Sequence, residues 1–152
     1  MSLTLPILRL PHVADLPLPT YQTVDAAGMD LAAALASGEA IVLPPLGRAL
    51  VPTGLVFQIP HGYEGQVRPR SGLAVKNGIT VLNAPGTIDS DYRGEVTAIL
   101  LNHGSEPFAI QRGMKIAQLI VAAYARVEWS EVTQLKDTLR GTGGFGSTGL
   151  GV

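Results

Sequence analysis

Short apolar runs alternate along the chain with clusters of Gly and Pro, and this pattern predicts many short strands. Four runs rich in Val, Ile and Leu have the length and composition of β-strands. They are residues 54–60, 78–83, 95–102 and 115–129. At the end of the last run, Ala125, Val127 and Trp129 alternate with charged residues, which is the period of a half-buried strand. The pattern favours an all-β sandwich or barrel, with Trp129 in its core or in an interface.

Long helices are not expected, because 18 glycines and 11 prolines are scattered through the sequence. Residues 71–78 predict one short helix, with Ser71 at its start and Gly78 just past its end. Residues 30–40 are either helix or a strand followed by a turn. Residues 130–140 are either a helix capped by Ser130 or an extended arm, and we favour the arm.

Composition limits the classes of protein that the chain can belong to. Its 152 residues suggest one domain, and the absence of Cys excludes disulfides and thiolate metal sites. Hydrophobic residues make up 46% of the chain and charged residues only 15%, which favours buried subunit interfaces. The first 23 residues are interrupted by four prolines, and no apolar run is long enough for a membrane span. A cytoplasmic protein without a membrane partner is expected.

A net charge of −1 argues against general nucleic-acid binding, for which a basic excess is typical. An anionic ligand would have to be held by a few local cations, by backbone N–H groups or by a metal. The segment "RPRSGLAVKNG" offers such a site, because Arg70, Ser71 and Gly72 stand where the predicted helix begins. The alternative is an ordinary surface helix with solvated arginines.

The segment "NAPGTIDSDYRGEV" places two carboxylates beside a flat aromatic ring. If it is an extended hairpin, Asp89 and Asp91 point to the same side and Ser90 to the other. Asp89 follows the apolar Ile88, so it is a candidate general base in a partly dry pocket. Tyr92 supplies the flat face. The alternative is a turn, which Asp, Ser and Gly favour for local reasons.

Glycine fills half of "RGTGGFGSTG", residues 140–149. No Gly-Lys-Ser/Thr follows the glycines, so this is not a Walker loop. Its backbone N–H groups, Arg140 and the hydroxyls of Ser147 and Thr148 suit phosphate oxygens, and Phe145 suits stacking on a base. The alternative is a flexible terminus.

Taken in order, five segments resemble the five motifs of the trimeric deoxyuridine triphosphatases. The segments are residues 27–33, 68–79, 83–96, 112–121 and 140–149. The resemblance implies a jelly-roll-like distorted β-barrel over residues 1–139 and a glycine-rich lid segment over residues 140–152. It also implies a homotrimer with active sites shared between subunits. The reaction implied is Mg²⁺-dependent hydrolysis of dUTP to dUMP and pyrophosphate, which limits uracil incorporation into DNA and supplies dUMP for thymidylate synthesis.

The resemblance assigns base and sugar recognition to the hairpin segment. Asn83 and the backbone at Thr87 and Ile88 would read the uracil edge. Tyr92 would pack under the deoxyribose and leave no room for a 2′-hydroxyl. Any substrate contact at Thr97 would be made by its backbone.

The resemblance assigns the chemistry to Asp89, which would activate the water that attacks the α-phosphorus. Arg70, Ser71 and Gly72 would hold phosphate oxygens, and Gln118 would act at the phosphates and their water shell. No nucleophilic side chain is needed, because phosphoryl transfer depends on positioning and charge neutralisation.

The metal would be carried mainly by the substrate phosphates, with Asp30 near its water shell or bracing the arginines. Lys115 stands where the family commonly has arginine, which keeps the charge but loses the two-pronged geometry. The lid segment would close over a neighbouring subunit's site. Its expected substrate-binding residues are Arg140, Phe145, Gly146, Ser147 and Thr148.

Three other interpretations compete with this one. The related dCTP deaminases typically need a glutamate in the hairpin, where this chain reads "GTIDSDYRG". A catalytically silent trimer could act as a binding module, and a plain structural jelly roll could carry an unrelated tail. The three histidines, His12, His61 and His103, match no motif and are expected on the surface.

Overall fold

The computed structural model describes residues 3–144, which form eleven β-strands, one α-helix and one 3₁₀ turn. The helix α1 spans Ser71–Asn77 and the 3₁₀ turn spans Pro11–Val13. The strands are β1 (Ile7–Arg9), β2 (Met29–Ala32), β3 (Ala40–Leu43), β4 (Arg48–Pro52), β5 (Leu55–Phe57), β6 (Tyr63–Arg68), β7 (Ile79–Val81), β8 (Gly86–Ile88), β9 (Thr97–Asn102), β10 (Phe108–Gln111) and β11 (Lys115–Ala123). The prediction of an all-β fold with at most one short helix is confirmed.

The strands pair into four antiparallel sheets around one apolar core, which gives the jelly-roll-like barrel expected from the sequence. Their orders are β2-β11-β6-β8, β4-β9-β7, β1-β5 and β3-β10. The buried apolar side chains come from all four sheets and from the short connections. The largest fully buried ones are Leu31, Leu43, Ile79, Leu100, Ile110, Ile116 and Leu119. No helix within residues 3–144 is long and apolar enough to span a bilayer.

Asn102 is a fully buried polar residue that joins two of these sheets. Its Nδ2 donates to the Leu43 carbonyl at 2.9 Å and to the Glu106 carbonyl at 2.8 Å. Its Oδ1 accepts from the Gly104 N–H at 2.8 Å. Because each bond satisfies a group that water cannot reach, Asn102 fixes the turn after β9 against β3.

Helix α1 begins and ends where the sequence predicts. Gly78 lies past its end in the left-handed region, with φ of 69°, and its N–H donates to the carbonyls of Leu73 and Ala74. A Cβ at this position would lie 2.4 Å from the Gly104 nitrogen, so only glycine fits. Ser71 starts the helix without capping it, because the N-cap position is Arg70, in extended conformation.

The four predicted strands are present, but the last is shorter than its pattern suggested. β11 ends at Ala123, opposite Tyr63, because its neighbour β6 begins there. From Tyr124 onward the chain has no strand partner within the described residues, and Val127 and Trp129 are 69% and 93% exposed. The prediction of a half-buried strand over residues 125–129 is wrong, as is a place for Trp129 in the core of its own chain.

The two ambiguous segments are not helical. Residues 30–40 contain the end of β2 followed by irregular chain and a turn, which is the second of the two alternatives. Residues 130–140 are exposed and irregular, as expected for an extended arm. The three histidines are exposed, which confirms their predicted surface positions.

Candidate active site

The segment after β7 forms a pocket with a volume of about 220 Å³, called here the hairpin pocket. Its floor is built where β8 pairs with β6, with Gly65 opposite Ile88 and Val67 opposite Gly86. Six residues singled out from the sequence line it: Asn83, Thr87, Ile88, Asp89, Tyr92 and Thr97. The pocket therefore brings the expected base-reading and sugar-packing groups together with the candidate base.

Two glycines explain why the backbone can close so tightly here. A Cβ on Gly65 would lie 2.9 Å from Ile59 Cδ1 and 3.2 Å from Ile88 Cβ. A Cβ on Gly86 would lie 3.1 Å from Asn83 Nδ2. A side chain at either position would therefore displace a neighbour, namely Ile59 and the core at Gly65 and the Asn83 amide at Gly86.

The ring of Tyr92 is folded back over its own loop. Its hydroxyl donates to the Glu95 carbonyl at 3.2 Å. A Cβ on Gly94 would lie only 2.2 Å from the Tyr92 hydroxyl oxygen, so glycine at this position makes the fold-back sterically allowed. The ring thus presents a wall to the hairpin pocket while nearly half of the residue, 46%, remains exposed.

Asp89 is exposed, so the expectation of a partly dry pocket is wrong for the single chain. The buried β8 ends at Ile88, and the Tyr92 N–H donates to the Asp89 carbonyl at 3.2 Å, which makes residues 89–92 a turn rather than an extended hairpin. Asp89, Ser90 and Asp91 all line a second cavity of about 580 Å³. The predicted opposite direction of Ser90 fails for the same reason. Asp89 lines both cavities and therefore stands at the boundary between them.

Three charged residues, Asp30, Arg70 and Lys115, meet at the four-stranded sheet, and we call them the Asp30 cluster. Asp30, whose side chain is 7% exposed, accepts from Arg70 Nε through Oδ1 and from Lys115 Nζ through Oδ2, each at 2.9 Å. Arg70 Nη1 also donates to the Lys115 carbonyl at 3.2 Å. In the strand ladders, Gln118 pairs with Asp30 on one side and with Arg68 on the other. Strand pairing therefore brings together side chains that are far apart in sequence.

The Asp30 carboxylate is held in its charged form. Burial raises its pKa, but the hydrogen bond from Lys115 and the charges of Arg70 and Lys115 lower the pKa by more, so that the result is below 3.8. One carboxylate therefore faces two cations at neutral pH. Since the Arg70 and Lys115 side chains are 31% and 46% exposed, this positive surface is accessible to an anion.

Ser71 and Gly72 are both exposed and follow Arg70 directly at the start of α1. A Cβ on Gly72 would meet no atom within 4 Å, so no neighbouring element covers that side of the residue. The structure thus groups Arg70, Ser71 and Gly72 with an unobstructed helix start, beside Lys115.

The predicted site residues fall into two groups within one chain. None of Arg70, Ser71, Gly72 and Gln118 lines the hairpin pocket as the described residues form it. Arg140 is exposed, and its Nε donates to the nearby Gly143 carbonyl at 2.9 Å. The remaining lid residues Phe145, Gly146, Ser147 and Thr148 lie outside the described residues.

Glu95 is a pocket residue that sequence reasoning missed. It lines the hairpin pocket, and its Oε1 accepts from the Gly54 N–H at 2.7 Å. The spacing of residues in the sequence does not predict a partner 41 residues away. Locally, the sequence shows only an acidic residue before a Val. Val67 and Ile99 also line the pocket and were not singled out as site residues.

Within residues 3–144, no three His, Asp or Glu side chains are grouped closely enough to hold a metal ion. Both Asp30 oxygens already accept hydrogen bonds from cationic side chains. The donor set therefore fits a Mg²⁺ ion that enters with phosphate ligands and retains several waters, rather than one held in a protein cage.

Comparisons with known proteins agree with this geometry. The dUTPase family model matches residues 14–149. The deoxyuridine 5′-triphosphate nucleotidohydrolase of Rhizobium rhizogenes is 59% identical over 97% of this chain and 94% of its own length. The enzyme of the same name from Methylocella silvestris is 64% identical over 97% of this chain and 92% of its own length.

A solved structure gives the same result for the fold. The dUTPase of Staphylococcus bacteriophage 80alpha, solved with dUPNHPP, superimposes with a TM-score of 0.86 and 25% identity. The match covers 98% of this chain and 100% of the phage chain. Because the family model spans most of the sequence and the enzymes above match it nearly end to end, the chain belongs to the dUTPase family, whose members hydrolyse dUTP.

Proposed function

We propose that this chain splits dUTP into dUMP and pyrophosphate by in-line attack of a water molecule on the α-phosphorus. The observation that carries the proposal is the hairpin pocket, where Asn83, Asp89 and Tyr92 line one cavity of about 220 Å³. A concave site with a few polar groups among apolar ones is typical of small-molecule binding. The phage relative solved with dUPNHPP supports a nucleotide of this type as the ligand.

Base and sugar recognition follow from the shape and polarity of the pocket. The Asn83 amide and the backbone of β8 offer both donors and acceptors, which a uracil edge requires. The Tyr92 ring, folded over Gly94, would stand against C2′ of the sugar and exclude a 2′-hydroxyl by contact. Discrimination by contact needs no hydrogen bond to the missing group, so UTP should be rejected sterically.

The triphosphate would bind at the Asp30 cluster. Arg70 and Lys115 supply positive charge, and the exposed helix start at Ser71 and Gly72 would supply N–H donors. Gln118, in register between Asp30 and Arg68, adds a neutral amide beside them. Holding the phosphates rigidly matters more here than covalent chemistry, because the barrier to phosphoryl transfer is lowered by positioning and charge neutralisation.

Asp89 would take the proton from the attacking water. Asp89 is exposed and lines both cavities, so a water can reach its carboxylate directly. When bound, Mg²⁺ would neutralise phosphate charge in the ground state and in the transition state. Asp30 would contribute to that ion only through its water shell, since both of its oxygens are paired.

We also propose that the active enzyme is a homotrimer in which the hairpin pocket of one subunit faces the Asp30 cluster of another. This arrangement would unite two groups of residues that lie apart within one chain. The exposed chain from Ala125 to Thr142 would lead the lid segment, including Arg140 and Phe145, to a third subunit's site. In the cell the enzyme would work in the cytoplasm, limiting uracil incorporation and supplying dUMP.

The decisive experiment measures pyrophosphate release from dUTP and UTP with Mg²⁺, for wild type and Asp89→Asn. Loss of the base should lower kcat by about 10²–10⁴-fold without changing stability, because Asp89 is exposed. The matched control is Asp91→Asn, two residues away on the second cavity, which should retain most activity. Equal turnover of UTP would contradict the role of Tyr92, and steady ammonia release from dCTP would indicate a deaminase instead.

A further inference from the structure

Glu95 connects the Tyr92 ring to a part of the fold distant in sequence. Its backbone carbonyl accepts from the Tyr92 hydroxyl at 3.2 Å. Its side-chain Oε1 accepts from the Gly54 N–H at 2.7 Å, in the turn between β4 and β5. One residue therefore holds the ring with its main chain and is itself held by its side chain.

The turn that bonds the Glu95 side chain is closely packed. Gly54 has a φ of 67°, and a Cβ on it would lie 2.2 Å from Val13 Cγ2, so the backbone fits only without a side chain. The Leu10 N–H donates to the Gly54 carbonyl at 2.8 Å. The direction of the Gly54 N–H is therefore fixed on both sides by packing and hydrogen bonding.

Neighbouring bonds fix the residue after Glu95 in the same way. The buried Thr53 donates to the Val96 carbonyl through its N–H at 3.2 Å and its hydroxyl at 2.6 Å. The Val96 N–H donates to the Leu55 carbonyl at 2.9 Å. We call these contacts, with Glu95 Oε1 on Gly54, the Glu95 clamp. Of these contacts, the bond between the Glu95 carboxylate and Gly54 lies nearest in sequence to Tyr92.

We infer that Glu95 is a positioning residue for sugar discrimination, acting through Tyr92; this inference rests on the proposed function. Tyr92 is 46% exposed as a residue and is not part of the buried core. Its position depends on contact with Gly94 and on the bond to the Glu95 carbonyl. A wall that excludes one hydroxyl must be held to a fraction of an ångström, and the Glu95 clamp supplies that rigidity.

Kinetic discrimination between dUTP and UTP tests the inference. Glu95→Ala should lower the ratio of kcat/KM for dUTP over UTP by about tenfold, the size expected for loss of one hydrogen bond that orders a side chain. Glu95→Gln keeps an oxygen that can accept from Gly54 and should retain most of the ratio. Ile110→Val in β10, a core change remote from the pocket, should lower Tm without changing the ratio.

Binding provides a readout that does not need turnover. Titration calorimetry with the deoxy and ribo forms of a uridine triphosphate analogue bearing an α,β-imido bridge should show the same loss of preference in Glu95→Ala. If Glu95→Ala does not fold, Glu95→Asp replaces it, because its shorter side chain cannot span the distance to Gly54.

Two results would overturn the inference. One is an unchanged ratio in Glu95→Ala, and the other is an equal fall in Ile110→Val, which would trace the effect to stability. Failure of the proposed function is distinct, because in that case the wild-type chain would release no pyrophosphate from dUTP.

Discussion

Lys115 Nζ lies 2.9 Å from Asp30 Oδ2, and this ion pair joins β11 to β2 beside an irregularity in their ladder between Lys115 and Ala117. The other Asp30 oxygen is bonded to Arg70. A single carboxylate thus holds the side chains of two cations that we assign to phosphate binding. Asp30 therefore stabilises the fold in the absence of substrate, and its contribution can be measured on the unliganded protein.

Asp30→Asn should lower the free energy of unfolding by about 1–3 kcal/mol, because it leaves two cationic side chains close together without their counter-charge. Urea denaturation at pH 7 measures this. The matched control is Asp15→Asn, which removes an exposed carboxylate paired with Arg112 and should have a smaller effect. An equal loss in the two variants would show that burial of Asp30 adds nothing.

The stabilisation by Asp30 should disappear in acid. Its pKa is lowered below 3.8 in the folded chain, so the unfolded chain takes up the proton first as the pH falls. The contribution is complete above 3.8 and is lost as the pH passes through the folded value. The difference in unfolding free energy between wild type and Asp30→Asn should therefore be constant from pH 7 to 5 and shrink below pH 3.8. Urea titrations at pH steps test this, and a difference that grows in acid would contradict it.

Two glycines with similar backbone angles allow strain and steric clash to be separated. Gly38 has a φ of 80°, and a Cβ added there would meet no atom within 4 Å, whereas a Cβ on Gly78 would lie 2.4 Å from the Gly104 nitrogen. Gly38→Ala should cost about 1 kcal/mol from backbone strain alone. Gly78→Ala should cost about 3 kcal/mol or more, since the end of α1 must also move. Thermal denaturation of both variants measures the two losses of stability. Equal losses would show that the contact with Gly104 adds no cost at Gly78.

Trp129 reports on assembly, because it is the one tryptophan in the sequence and is 93% exposed in the single chain. If the proposed trimer forms and the arm packs on a neighbour, its fluorescence should be blue-shifted and should move to longer wavelength on dilution. Light scattering on the same samples gives the oligomeric state. If the sample scatters as a trimer but Trp129 emits like a fully exposed indole, the arm lies in solvent and the prediction is wrong.

The sequence predicts strands where an apolar segment has a partner and fails where it has none. β9 comes from a run rich in apolar residues and is flanked by β4 and β7, so the run is a reliable guide. Val127 and Trp129 alternate with charged residues, yet no strand of the described chain lies beside them. The pattern does not reveal β6, although this strand is central, because one of its buried positions is Gly65, which carries no apolar side chain to signal burial.

For the candidate site, the sequence predicted contacts between residues close together in the chain but not contacts between distant ones. Asn83 and Tyr92 lie in one short segment, and the pocket they share could be anticipated from it. The ion pair of Asp30 with Arg70 spans 40 residues, and the bond of Glu95 to Gly54 spans 41. Contacts of this kind depend on how sheets are paired, which local composition does not encode.

Within the described chain, the hairpin pocket contains none of the Asp30-cluster residues that we propose for phosphate binding, and this division has a genetic consequence. In a shared-site trimer, a chain without Asp89 would lack the hairpin-pocket half of a site, and a chain without Arg70 would lack the Asp30-cluster half. Trimers assembled from both would include sites in which the two intact halves meet. Two inactive alleles with lesions in different halves would then restore part of the activity when expressed together, whereas two lesions in the same half would not.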